Sequence, residues 1–322
     1  MREWELAVEG PIGLGEAPFW DDERQCLWFV DITEGVLYRL DPGTGEVAGR
    51  QVGSPLSAAI PAADGALILI RGNGVYRYDW DHATTTLIAA IDPPDATIQL
   101  NDAACDPRGR LWAGTIDANF GRGRSSLLRF SAAVPDTVLS SRGLANGIAW
   151  SPDGATMYFA DSQQHTIEAF DYNVESGSVS QPRVWLTLSE PQGFPDGLAV
   201  DARGDVWVAL YAGAAVHHYS DEGALVEVLR FPVDRVTNMC FGGADLVDLY
   251  VKTSSQRLTP AEQRSQPLAG ATFVVPRAGT GQPSRRWNPA TMRRAADSVN
   301  RRSTTARDAR SIREPDGRPT DR

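Results

Sequence analysis

Short apolar runs alternate with turn residues along most of the chain. In the stretch Asn146 to Ser162, NGIAWSPDGATMYFADS, a polar residue precedes an apolar run (Ile148, Ala149, Trp150), and a second run (Met157, Tyr158, Phe159, Ala160) follows the turn Ser151-Pro152-Asp153-Gly154. Proline fixes φ and glycine tolerates positive φ, so the pattern predicts two antiparallel strands joined by a tight turn. The same pattern recurs. Glu16 lies 12 residues before Trp28, Ser57 11 before Ile68, Asn101 11 before Trp112, Asn146 12 before Tyr158, Asp196 11 before Trp207 and Asn238 12 before Tyr250. The second-strand anchors step by 40, 44, 46, 49 and 43 residues. Six copies at a period in the forties predict an all-β, six-bladed β-propeller with four-stranded blades.

Residues 3–9 alternate apolar and charged side chains, which suits a strand completing the last blade, and Gly270 to Val275 reads as that blade's preceding strand. The pattern stops at Pro276. The chain therefore divides into a propeller over 1–276 and an Arg-rich tail over 277–322, expected to be disordered because it has few large apolar residues to offset its ordering entropy.

Charge sharpens this division. The tail holds 12 Arg against 5 acids, leaving residues 1–276 with 19 basic and 36 acidic residues. So acidic a body disfavours nucleic acid and anionic membranes and favours cations. No apolar run approaches the ~20 residues that cross a bilayer and the start lacks a signal-peptide core, so a cytoplasmic location is expected. Cys26, Cys105 and Cys240 lie in predicted strands without CxxC spacing and read as buried, reduced thiols. His82, His165, His217 and His218 show no ligand spacing.

Equivalent positions on successive blades face equivalent places around the channel. Glu16, Ser57, Asn101, Asn146, Asp196 and Asn238 are therefore expected at one rim, where carboxylate and amide oxygens suit a hard divalent cation. Such residues also cap turns, and any one alone reads as a cap. The mixture of Glu, Asn and Asp in register favours a site, since a shared capping duty would select one residue type. Without a cation, Glu16 and Asp196 brought together would repel each other.

The runs GLGEAPFW, LNDAACDPRGRLWAGT, LANGIAWSPDG and PDGLAVDARGDVW, in this order over about residues 10–275, resemble the senescence-marker-protein/gluconolactonase (regucalcin-like) family. The resemblance implies a six-bladed propeller that hydrolyses sugar lactones with one divalent ion, be it calcium, zinc, manganese, magnesium or iron. It makes Glu16, Asn146 and Asp196 the metal ligands and places Asn101 against a small-molecule sugar lactone or a metal-bound water. Asp196 is also the candidate general base. Gln99 stands where animal members carry Arg, and Asn119 where they carry Glu, so the two are expected to meet sugar hydroxyls without charge. The rival readings are a phosphotriesterase-like hydrolase on the same scaffold and a non-catalytic calcium-binding or interaction propeller.

Overall fold

The computed structural model describes residues 2–93 and 95–292. Six four-stranded antiparallel sheets surround a central channel. Their inner strands are Gly15–Asp21, Leu56–Pro61, Ile98–Cys105, Ala145–Trp150, Phe194–Val200 and Val236–Gly242. Blades one to five each run from the inner strand outward in chain order. Blade six takes its outermost strand, Glu5–Val8, from the start of the chain, where it pairs with Thr272–Val275. This closes the ring as the alternating N-terminal pattern suggests, and it covers an edge that would otherwise be open.

The six anchors of the repeat are all buried, with Trp28, Ile68, Trp112 and Trp207 at 1% exposure or less. They fill the spaces between neighbouring blades, because a sheet buried on both faces needs a large apolar side chain on each second strand. Three of the indoles also have a polar partner at the end of the inner strand. Trp28 Nε1 donates to Asp21, Trp112 to Asp106 and Trp207 to Asp201, at 3.1, 3.2 and 3.4 Å. Each carboxylate also holds backbone N–H groups of its own turn, so one aspartate ties the hairpin to the core. The predicted turn at Ser151–Gly154 forms with Gly154 at φ +71° and its N–H on Ser151 O. Cys26, Cys105 and Cys240 are free thiols.

Residues 277–292, which the sequence reading assigns to the tail, lie against the propeller at the opposite end of the channel from Glu16, Asn146 and Asp196. This short segment reaches all six blades. Arg286 pairs with Asp21 and Asp22 in blade one at 2.6 and 2.7 Å. Trp287, buried, exchanges backbone hydrogen bonds with Pro61 and Ala63 in blade two. Asn288 N donates to Gly109 O in blade three, and Gln282 Nε2 donates to Trp150 O in blade four and Val200 O in blade five. Gly281 N donates to Leu246 O in blade six. Scattered backbone bonds, the polar side chains of Gln282 and Arg286 and one tryptophan carry no sequence period, which is why composition alone assigned these residues to the tail. Residues 293–322, the rest of the expected tail, lie outside the described residues.

Candidate metal centre and substrate cavity

Every inner strand slips register against its neighbour at the same level. The shifts fall between Glu16 and Phe19, Leu56 and Ala58, Leu100 and Ala103, Ala145 and Ile148, Pro195 and Leu198, and Val236 and Asn238. A bulge bends the strand and re-aims a side chain, so six bulges in register turn six side chains toward the axis. Glu16, Ser57, Asn101, Asn146 and Asp196 line a cavity of about 520 Å³ at this end of the channel. The strands approach closely here. A Cβ on Gly197 would meet Asn238 Cγ at 2.2 Å, and one on Gly147 would meet Asp196 O at 2.5 Å.

The six register positions perform different tasks. Asn238 Nδ2 donates to Glu16 Oε2 at 2.9 Å, and Ala17 N donates to the same oxygen at 2.9 Å. Ser57 Oγ donates to Leu100 O at 2.8 Å, tying blade two to blade three. Asn101 Nδ2 donates to both Ala145 O and Asn146 Oδ1 at 3.0 Å. Asn146 Nδ2 donates to Ser162 Oγ, which in turn donates to Pro195 O at 2.6 Å beside Asp196. These bonds fix both amides with their oxygens oriented. Asp196 is the exception: among the described residues its buried carboxylate receives no hydrogen bond from the protein.

Electrostatics follow from this placement. Burial pushes the Glu16 carboxyl up to about 8, helped by the charge of Asp102 and opposed by the Asn238 and Ala17 donors. Burial also raises Asp196 well above the ordinary range, with Glu16 and Asp102 adding to it. Asp102, on the bulge beside Asn101, is pushed up to about 6 by loss of solvent. The buried cation nearby is Lys252, whose ammonium is pulled down to about 7 by burial while Asp31 and Glu16 oppose the fall. It donates to Thr272 Oγ1 at 2.6 Å and lies 4.1 Å from the Phe29 ring centroid. One weakened lysine cannot balance three desolvated carboxylates, whereas a divalent cation can. The donor set of Glu16, Asn146 and Asp196 is all oxygen and fits a hard ion.

Gln99 lines the same cavity, and its side chain has no hydrogen bond to the described residues. Asn119 is exposed in the turn after Leu111–Asp117, with its backbone N–H on Asp117; its neighbours Ala118 and Phe120 line the cavity and it does not. The rim is largely apolar, with Phe120, Phe194 and Tyr211 around it.

Several residues here fall outside the six register positions. Asp31 accepts from Gly13 N and Leu14 N, just before Glu16, and Asp161 accepts from Gly143 N and Leu144 N, just before Asn146. They read as hairpin residues in the sequence, yet each sets the approach of a neighbouring strand to the site. Their equivalent positions after the second strand were the available clue. Ser162, Asp102 and Lys252 offered none. Asp201, Asp205 and His218 form a second group whose candidate ligand atoms lie within 4.8 Å of one another, at the far end of the inner strand from Asp196. There His218 stacks on Trp207 with ring centroids 3.9 Å apart and Nε2 3.1 Å from Asp205, which Arg203 also pairs.

The family model described as SMP-30/Gluconolactonase/LRE-like region matches residues 14–255. Regucalcin of Xenopus laevis is 31% identical over 281 residues, which is 84% of this chain and 93% of that protein. A protein of Bacillus subtilis (strain 168), provisionally named sugar lactone lactonase YvrE, is 32% identical over 266 residues, 81% of this chain and 90% of its own length. Among solved structures, a luciferin-regenerating enzyme superposes with a TM-score of 0.84 at 27% identity, covering 89% of this chain and all of the other. With bulged inner strands, converging carboxylates and matches that span the whole ring, the chain belongs to the SMP-30/gluconolactonase/LRE-like family.

Proposed function

We infer that the chain hydrolyses sugar lactones in the cavity above Glu16, Asn146 and Asp196. The observation that carries this reading is the contrast between two buried carboxylates. Glu16 is held by two donors, whereas Asp196 has none, so Asp196 remains available to a water molecule or a cation. Glu16, Asn146 and Asp196 would hold a divalent ion, which when bound supplies Lewis acidity toward the lactone carbonyl.

The chain's own groups account for the rest. Asp196 accepts the proton of the water that attacks the carbonyl, in the manner of a general base. Asn101 has both amide hydrogens engaged, so its Oδ1 is the group left to accept from a substrate hydroxyl. Gln99 can both donate and accept, which matches neutral hydroxyls. Phe120, Phe194 and Tyr211 offer apolar faces to the C–H side of a sugar ring and exclude water from the mouth. Support for the substrate class comes from the family and from the provisional name of the Bacillus relative.

A pH-drop assay over a panel of aldonolactones, with and without chelator, tests the reading. Turnover that disappears with chelator and returns with added metal is the expected result. Absence of metal-dependent turnover across the panel would leave the non-catalytic binding reading in its place.

A further inference from the structure

The loop after strand Asp248–Thr253 carries Arg257 to the mouth of the cavity. The loop is well anchored: Gln256 N donates to Gly13 O at 2.7 Å, Ser254 Oγ donates to the same carbonyl at 2.7 Å, and Leu258 is buried. From blade six the guanidinium reaches toward blade three, where it lies 5.5 Å from the Phe120 ring centroid. Among the described residues, Arg257 is the only basic side chain lining the cavity, and it has no ion-pair partner. That is unusual in a protein with a net charge of −10, where carboxylates are plentiful.

The backbone adds an independent observation. Arg257 has φ +59°, in the left-handed region where glycine is the favoured residue. The fold alone therefore favours glycine at this position, and the long cationic side chain stands there against that preference. Beyond this cation–π approach to Phe120, the guanidinium N–H groups have no hydrogen-bond acceptor among the described residues, which leaves them free to pair with a carboxylate or phosphate.

We propose that Arg257 selects lactones that carry an anionic group, a carboxylate or a phosphate, at the end of the molecule remote from the reacting carbonyl. This rests on the lactonase reading. The placement suits such a substrate: the oxygen donors Glu16, Asn146 and Asp196 stand at the inner end of the cavity, where the carbonyl would react, and Arg257 stands at the mouth, where the remote end of the molecule would lie.

The test compares metal-loaded full-length protein with its Arg257→Gly and Arg257→Lys variants. The substrates are neutral glucono-δ-lactone, a glucarolactone bearing a free carboxylate, and 6-phosphogluconolactone. Glycine fits the backbone at this position, so Tm is expected to stay within a few degrees of the parent. The expected result is a ratio of kcat/KM, anionic over neutral, that falls about 10- to 100-fold in Arg257→Gly, mainly through KM, and partly recovers in Arg257→Lys. Which anionic substrate shows the effect identifies the group. An unchanged ratio would overturn the proposal, as would an equal loss on neutral and anionic substrates. If the parent hydrolyses none of the three, the lactonase reading fails separately. Calorimetric titration of the metal-loaded protein with gluconate and glucarate then decides on Arg257: tighter glucarate binding that is lost in Arg257→Gly supports it, and equal binding in both proteins rejects it.

Discussion

At the scale of single residues, Glu16 and Asp196 share a desolvated space but differ in what surrounds them. Glu16 is tethered by Asn238 and Ala17, and Asp196 is untethered. Glu16→Gln is therefore expected to lose the divalent ion in elemental analysis. Asp196→Asn is expected to keep a measurable fraction of it while kcat drops by about 10²- to 10⁴-fold, the usual worth of a general base. Full occupancy with normal turnover in Asp196→Asn would exclude the base role. The same burial makes metal-free stability depend on pH. Glu16 rises from 4.5 to about 8 and Asp102 from 3.8 to about 6, so between about pH 4.5 and 7 the folded chain binds more protons than the unfolded one. Stability of the chelated protein is expected to fall as pH rises through that window. Above about 7 the slope is opposed, because Lys252 is then neutral in the fold and charged when unfolded. Thermal melts of chelated protein from pH 5 to 7 check the sign, and a saturating divalent ion should flatten the dependence. A metal-free Tm that rises across this window would show that the carboxylates are not desolvated as described.

At the scale of the element, the decisive feature is the bulge in each inner strand. It places the ligand candidate at the axis and brings adjacent strands close, and glycine is what allows the approach. Gly197→Ala would set a methyl against Asn238, the residue that orients Glu16. Overpacking of this kind costs roughly 1–3 kcal/mol. The expected outcome is a lower denaturant midpoint together with weaker metal binding, measured by titration calorimetry. An unaltered metal affinity would mean that Asn238 does not set the position of Glu16. The repeat spacing made the six positions legible as a set because strand and turn lengths are local properties. It did not distinguish their tasks: Asn146 and Asn238 are the same residue type at the same blade position, yet Asn146 lines the cavity with its oxygen accepting from Asn101, and Asn238 donates to a carboxylate.

At the scale of the whole molecule, two closures hold the ring. The N-terminal strand completes blade six, and residues 277–292 bridge all six blades at the far mouth. No helix among the described residues is long and apolar enough to cross a membrane. A chain ending at Pro276 loses the bridge and leaves the buried Asp21 without Arg286. Its Tm is expected to fall by on the order of 10 °C, whereas a chain ending at Met292 retains every one of these contacts and should melt close to the parent. Equal melting of the two truncations would show that the segment does not brace the ring.

The sequence by itself determined the blade count, the strand that closes the ring and the register of the polar positions. Each follows from short-range pattern: apolar alternation, turn chemistry and a period in the forties. Tertiary structure alone decided which side chains meet. Lys252 beside the carboxylates, Ser162 linking Asn146 to the strand of Asp196, Arg257 over Phe120 and the C-terminal brace all join residues far apart in the chain. Those contacts depend on how six twisted sheets close upon one another, a long-range condition that leaves no local period for a sequence to show.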